Sequence, residues 1–240
     1  LYGRSFGRWN CCDGTYGWRK VTGVFNLRSG SVVSTSGVGV SVGYCGSGEM
    51  NVFGGSVKAY QASVAGSGVT GTEVDEESIL RILGGEFCIG AQNQGDFIGL
   101  SVADSSLKPR HGRLVLNGGV LESCATFGGV CAACRGGSGF AAFEADGGTL
   151  RAPCDSKRLF HHFDEAKVGA KGLVIDNAGH VVTVAQMIVD KTDAAGAGCV
   201  TLAGEGTTRL TGDLGGLGIL VANEGTVDLS ALGGNELGSL

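Results

Sequence analysis

The chain has 240 residues, 46 of them glycine and only two proline, with 42% hydrophobic and 17% charged residues. That balance is too apolar for a disordered linker and too rich in glycine for packed helices, and the strict every-third glycine of collagen is absent. A formal net charge of −5, with Lys and Arg scattered rather than gathered in a stripe, argues against a nucleic-acid surface.

Residues 1–24 differ in texture from the rest. They hold both tryptophans of the chain together with Arg4, Arg8, Arg19 and Lys20, and are predicted to form an atypical aromatic and basic N-terminal coil or cap. Trp9, Tyr16 and Trp18 are the candidate binding residues, because such rings stack on sugars; the plainer reading is that they cover a preceding coil. No basic-then-apolar leader follows Leu1, so a signal peptide is expected to have been removed or to lie outside this sequence. No run of 18 apolar residues offers a membrane-spanning helix.

From there on one unit recurs. In "GEMNVFGGSVKAY" (48–60) apolar and polar residues alternate, stop at a glycine pair and alternate again. The same spacing returns around Gly30, Gly55, Gly85, Gly119 and Gly148, at intervals of 25, 30, 34 and 29 residues. Five positions before each glycine stand Phe25, Met50, Leu80, Leu114 and Phe143; three before it stand Leu27, Val52, Ile82, Leu116 and Ala145. Two positions after it come Val32, Val57, Phe87, Leu121 and Leu150. Apolar residues at every second position with mostly polar ones between them mark strands with one buried face. Asn117-Gly118 and Asp146-Gly147 supply turn chemistry at the corners.

The expected fold is therefore all-β: a single-stranded right-handed parallel β-helix (solenoid) of about 8 to 12 coils, on the order of 40 to 55 Å long. It is read as one domain over residues 1–240 and as a fragment of a longer rod. A β-propeller would ask for about 40 to 45 residues per blade, which the period undershoots.

Two charge-rich stretches look like interruptions, "TEVDEESILRIL" (72–83) and "DSKRLFHHFDEAK" (155–167), and the second is predicted as a loop excursion. "GLVIDNAGHVVTVAQ" (172–186) reads as another strand, corner and strand, with Asp176 in a column that is apolar earlier. Around Gly225 the original register is expected to return, with Leu220 and Ala222 before the corner and Val227 and Leu229 after it.

Nine cysteines cannot all pair within one chain. Cys88 falls on the outward face of its strand, Cys45, Cys124 and Cys199 fit small core positions, and Cys11 and Cys12 are adjacent. Cys131 and Cys134 form a C-x-x-C without a second pair or a histidine pair at ligand spacing. Structural cysteines or disulfides are expected, and no metal and no cofactor.

"FDEAKVGAKGLVIDNAGHVVTVAQ" (163–186), "GAGCVTLAGEGTTRLTG" (196–212) and "NEGTVDLSA" (223–231) together resemble the autotransporter-associated β-strand repeat of bacterial surface proteins. "VGYCGSGEMNVFGGSV" and "GSGFAAFEADGGTLRA" are similar to repeats of the same passengers, so the resemblance spans roughly residues 38–231. It implies a secreted passenger, folded as a right-handed β-helix at the cell surface and tethered through an outer-membrane barrel. The sequence departs from the pattern at "DLGGLG" (213–218), where Thr-Tyr-Thr-Gly is expected, and it contains no barrel.

The leading functional reading is a rigid structural or adhesive stalk, not an enzyme. Its expected partners are the neighbouring coils of the longer polypeptide and glycans or other cell-surface ligands, with no nucleic acid and with a membrane only through an absent tether. The alternative is a β-helix polysaccharide lyase or glycoside hydrolase acting on acidic glycans, which needs two carboxyl groups about 5 to 10 Å apart. Glu122, Glu144, Asp146, Asp164, Asp176, His161 and His162 are the residues such an enzyme would draw on, yet none forms an Asp-Asp or Asp-x-Asp cluster. The plainer readings are solvated strand faces, a turn-forming Asp146 and loop histidines, so no catalytic residue is assigned.

Overall fold

The computed structural model describes residues 22–34, 39–43, 46–66, 77–90, 99–103, 110–128, 139–191, 198–213, 217–221 and 225–231. The regular structure in them is entirely strand, taken in rounds of three. The first round is β1 (Thr22–Leu27), β2 (Ser31–Ser34) and β3 (Val40–Val42); the second is β4 (Ser47–Val52), β5 (Ser56–Ala59) and β6 (Ala62–Val64). Then come β7 (Glu77–Ile82), β8 (Glu86–Ile89) and β9 (Leu100–Val102), followed by β10 (His111–Leu116), β11 (Val120–Glu122) and β12 (Thr126–Gly128). The fifth round is β13 (Phe140–Ala145), β14 (Thr149–Arg151) and β15 (Ser156–His161), and the sixth β16 (Glu165–Val168), β17 (Leu173–Asp176) and β18 (Val181–Val184). The last are β19 (Val189–Asp190), β20 (Cys199–Ala203) and β21 (Thr207–Leu210), then β22 (Gly218–Val221) and β23 (Thr226–Asp228).

From β1 to β18 each strand pairs in parallel with the strand three places on; at the end β20 pairs with β22 and β21 with β23. Sheet A runs β1-β4-β7-β10-β13-β16-β19, sheet B runs β2-β5-β8-β11-β14-β17-β20-β22, and sheet C runs β3-β6-β9-β12-β15-β18-β21-β23. The chain thus visits sheets A, B and C in turn, an arrangement consistent with a β-solenoid.

The register is the one the glycine spacing predicts. Phe25, Met50, Leu80, Leu114 and Phe143 are successive partners across sheet A, as are Leu27, Val52, Ile82, Leu116 and Ala145. Val32, Val57, Phe87, Leu121 and Leu150 are partners across sheet B. Most of these side chains are fully buried, and they join one hydrophobic cluster fed by all three sheets. A side chain such as Leu116 contributes roughly 1.5 to 3 kcal/mol on burial. Phe143 of sheet A meets Phe160 of sheet C at 4.7 Å between ring centroids, and Phe163 lies 5.1 Å from Phe160.

The corner between sheets A and B explains the glycine column. Gly30, Gly55, Gly85, Gly119 and Gly148 all have positive φ. The carbonyl of each takes an N–H from the first or second residue of the sheet B strand of the next round, for example Ser56 N to Gly30 O at 2.9 Å and Glu86 N to Gly55 O at 3.0 Å. A Cβ on Gly55 would run into Gly30 O, and one on Gly85 into Gly55 O. Backbone conformation and backbone stacking therefore both demand glycine here.

Four expectations are corrected. Residues 155–167 are not a loop excursion, because they contain β15 and β16. Their charges sit outward, with Lys157 and Arg158 exposed, while Leu159, Phe160 and Phe163 enter the core. Within 72–83, residues 77–82 are β7. The segment 172–186 belongs to sheets B and C, so its corner at Asn177–His180 is a different one. Ile175 is the inward residue there, and Asp176 faces outward against Arg151. The segment around Gly225 joins β22 of sheet B to β23 of sheet C and shares that second corner. Buried Asn177 organises this corner: its Oδ1 accepts from Gly179 N at 3.0 Å and Gly206 N at 2.8 Å, and its Nδ2 donates to Thr208 Oγ1 at 3.2 Å.

The cysteines are also redistributed. Cys124 is not a free core residue but forms a disulfide with Cys154, 30 residues on and one round later, just past β14. Cys88 and Cys199 are half-buried free thiols, with Cys88 facing outward as expected. Cys11, Cys12, Cys45, Cys131 and Cys134 lie outside the described residues.

Two stability predictions follow from this geometry. Gly55→Ala and Gly85→Ala should each cost about 2 kcal/mol or more, whereas Gly23→Ala, whose Cβ would meet nothing within 4 Å, should change stability by less than about 1 kcal/mol; urea unfolding of the three variants measures the contrast. Removing the 30-residue cross-link, as Cys124→Ser with Cys154→Ser, should lower stability by about 3 to 4 kcal/mol on loop-closure grounds, read as a fall in Tm.

Candidate functional site

The outward face of sheet A carries the largest constellation of charged groups among the described residues. Alternation along the strands puts Asn26, Asn51, Arg81, Val115, Glu144 and Lys167 at equivalent positions on the face away from the core, and parallel register stacks them, with Val115 the one apolar residue among them. A neighbouring column holds Glu49, Ile79, Arg113, Ala142 and Glu165, its charges alternating with apolar residues, and Glu77 lies two residues before Ile79 on β7.

These side chains bind one another. Asn51 Nδ2 donates to Asn26 Oδ1 at 2.9 Å and to Glu49 Oε1 at 2.7 Å, and Arg81 Nη1 pairs with Glu49 Oε1 at 2.8 Å. Arg113 Nε donates to Glu77 Oε1 at 2.9 Å while its Nη1 pairs with Glu144 Oε1. Lys191, just past β19, closes on the second oxygen of Glu144, and Lys167 pairs with Glu165. Four carboxylates meet four cations, so this strip is electrically neutral.

Burial pushes the Glu144 carboxyl up, but the hydrogen bond from Lys191 and the charge of Arg113 outweigh it and hold the group below the usual range. Hydrogen bonds from Asn51 and then Arg81 do the same for Glu49. A general acid for glycoside cleavage has to keep its proton near neutral pH. Glu144 is tuned the opposite way, and both its oxygens are engaged.

The other residues singled out in the sequence are dispersed. Asp146, at the first corner, accepts Lys171 N at 2.9 Å. Glu122 stands outward on sheet B between Cys88 and Arg151, and Arg151 Nε binds Asp176 Oδ2 at 3.0 Å. Burial, with Glu122 and Glu86 nearby, pushes the Cys88 thiol up, which keeps it from being a reactive thiolate. Asp164 accepts Ala141 N at 2.7 Å. His161 ends β15 and is buried, and His162 is exposed beside it, so only the second resembles the loop histidine expected. Trp9, Tyr16 and Trp18 lie outside the described residues.

Arg113, Lys191 and Glu77 were not singled out from the sequence. The signal that finds them is register: once Leu114 and Phe143 are stacked, Arg113 lies within reach of Glu144. Among the described residues no three His, Cys, Asp or Glu side chains converge as a metal centre, and no helix is long and apolar enough to cross a membrane. No protein-family profile, no curated protein and no solved structure matches the chain.

The depressed Glu144 carboxyl sets a pH dependence. A group whose pKa is lower folded than unfolded contributes stability that is present above the unfolded value, about 4.3 for Glu, and is lost as pH falls through the folded one. Glu144→Gln should therefore reduce stability at pH 7 and flatten its decline on acidification below about pH 4.3, as measured by urea midpoints across the acid range.

Proposed function

We propose that the chain is a segment of a right-handed parallel β-helix stalk, part of a longer secreted or surface-displayed bacterial passenger of the autotransporter type. The observation that carries this reading is the sheet A ladder, whose register runs from β1 to β19 while its outward charges are spent on one another. Such a surface lends stiffness along the stack and leaves no converging acid and base. The Cys124–Cys154 disulfide suits an oxidising compartment outside the cytosol. The repeat segments at 163–186, 196–212 and 223–231 support the family assignment.

In this role the protein spaces or presents other modules, with glycans or cell-surface ligands as its partners. Eight rounds at about 4.8 Å per strand make a stack about 40 Å long. Small-angle scattering of the chain should give an elongated particle. On intact cells producing the full-length protein, an impermeant amine label should reach it, and incubation with a broad polysaccharide panel should give retention without turnover. Turnover of an acidic glycan that disappears in Arg113→Ala or Glu144→Gln would overturn the stalk in favour of a lyase or hydrolase. Confinement of the full-length protein to the cytosol would overturn the surface assignment.

A further inference from the structure

His161 and His162 present a geometry that neither the stacking of the sheets nor the charge ladder requires. Their Nδ1 atoms face each other at 2.9 Å, with the rings 4.6 Å apart at an interplanar angle of 67°. His161 is 6% exposed and belongs to sheet C, while His162 has turned out of the strand with a φ of 63°. The other non-glycine residues at positive φ, among those described, are all alanines. His162 alone carries a long functional side chain on a left-handed backbone, a conformation that costs an L residue roughly 1 kcal/mol or more.

The residues on either side are fixed. Thr126 and Phe160, then Phe160 and Val184, are register partners in sheet C. On the other side, buried Gln186 grips both polar groups of the Phe163 backbone, accepting its N–H at 2.7 Å and donating to its carbonyl at 3.0 Å. Asp164 then exchanges two hydrogen bonds with Ala141. Both imidazoles therefore project from a preorganised corner rather than a free loop.

We propose that the paired Nδ1 atoms of His161 and His162 bind a divalent late first-row transition metal ion of tetragonal preference, Ni(II) or Cu(II). Metal–imidazole bonds of about 2.0 to 2.1 Å set two ligands about 2.9 Å apart when they are cis at a right angle, and about 3.3 Å apart at a tetrahedral angle. The observed separation matches the first, which is the geometry favoured by Ni(II) and Cu(II). Binding replaces the hydrogen bond between the two nitrogens: its proton leaves Nδ1 and the donor ring carries its proton on Nε2 instead, so that both Nδ1 lone pairs face the ion. Solvent fills the remaining coordination positions.

The test is calorimetric titration of the whole chain with Ni(II), chosen because it does not oxidise the free thiols. The chain has four histidines, so His180 and His111 serve as internal controls. One ion per chain is expected, with affinity reduced more than about tenfold in His161→Asn and in His162→Gly and unchanged in His180→Asn and His111→Asn. His162→Gly supplies the residue best suited to the left-handed backbone, so its loss of binding cannot be laid to misfolding, and circular dichroism checks that the strands persist. Absence of saturable uptake, wild-type affinity in either His161→Asn or His162→Gly, or an equal loss in a control variant would each overturn the site.

Discussion

The structure depends on backbone approaching backbone at the corner between sheets A and B. Gly30, Gly55 and Gly85 stand directly over one another, each carbonyl receiving an N–H from the next round, and no side chain fits between them. Once those corners stack, the spacing of strands to either side is set at the interstrand distance, and side chains two, three and five residues away fall into columns. The apolar columns make the core. The polar columns make the charge ladder, because a residue facing outward in one round has the equivalent residues of the neighbouring rounds as its nearest neighbours.

That relation ties the core to the surface. Leu114 and Phe143 are partners in the interior, and the same register brings Arg113 and Glu144 together outside. Individually such half-exposed pairs are worth about 0 to 1 kcal/mol. Their effect comes from the chain of contacts Glu77–Arg113–Glu144–Lys191, which links the third round to the seventh across sheet A. Several rounds must shift together for any one of them to slide.

The sheet A and sheet B strands of the first five rounds were legible because each, three to six residues long, stands beside a glycine of fixed role, so alternation and corner reinforce each other. Sheet C was not. Val40–Val42, Ala62–Val64 and Leu100–Val102 are only three residues long, too short for alternation to stand out, and segments of unequal length precede the strands that follow them. The same shortage misplaced the segments around Gly179 and Gly225. Their glycines mark the corner between sheets B and C, where Asn177 supplies hydrogen bonds from its side chain, and a pattern search keyed to glycine cannot tell one corner from the other. Charge density misled at 155–167, since Lys157, Arg158 and Asp164 are outward residues of an ordinary round. Of the candidate site, Glu144 was visible as a carboxylate on a strand, but its cationic partners come from β10 and from beyond β19 and emerge only with register.

The disulfide between Cys124 and Cys154 has a consequence for how such a stack comes apart. A solenoid-like array loses order from its ends, because a terminal round has a neighbour on one side only. Fraying that travels inward from either terminus meets, near the middle of the array, two consecutive rounds riveted by a covalent bond. Those rounds can then outlast the ends and act as a template on which the frayed turns re-form, so that mechanical or chemical stress is absorbed at the extremities and repaired from the centre.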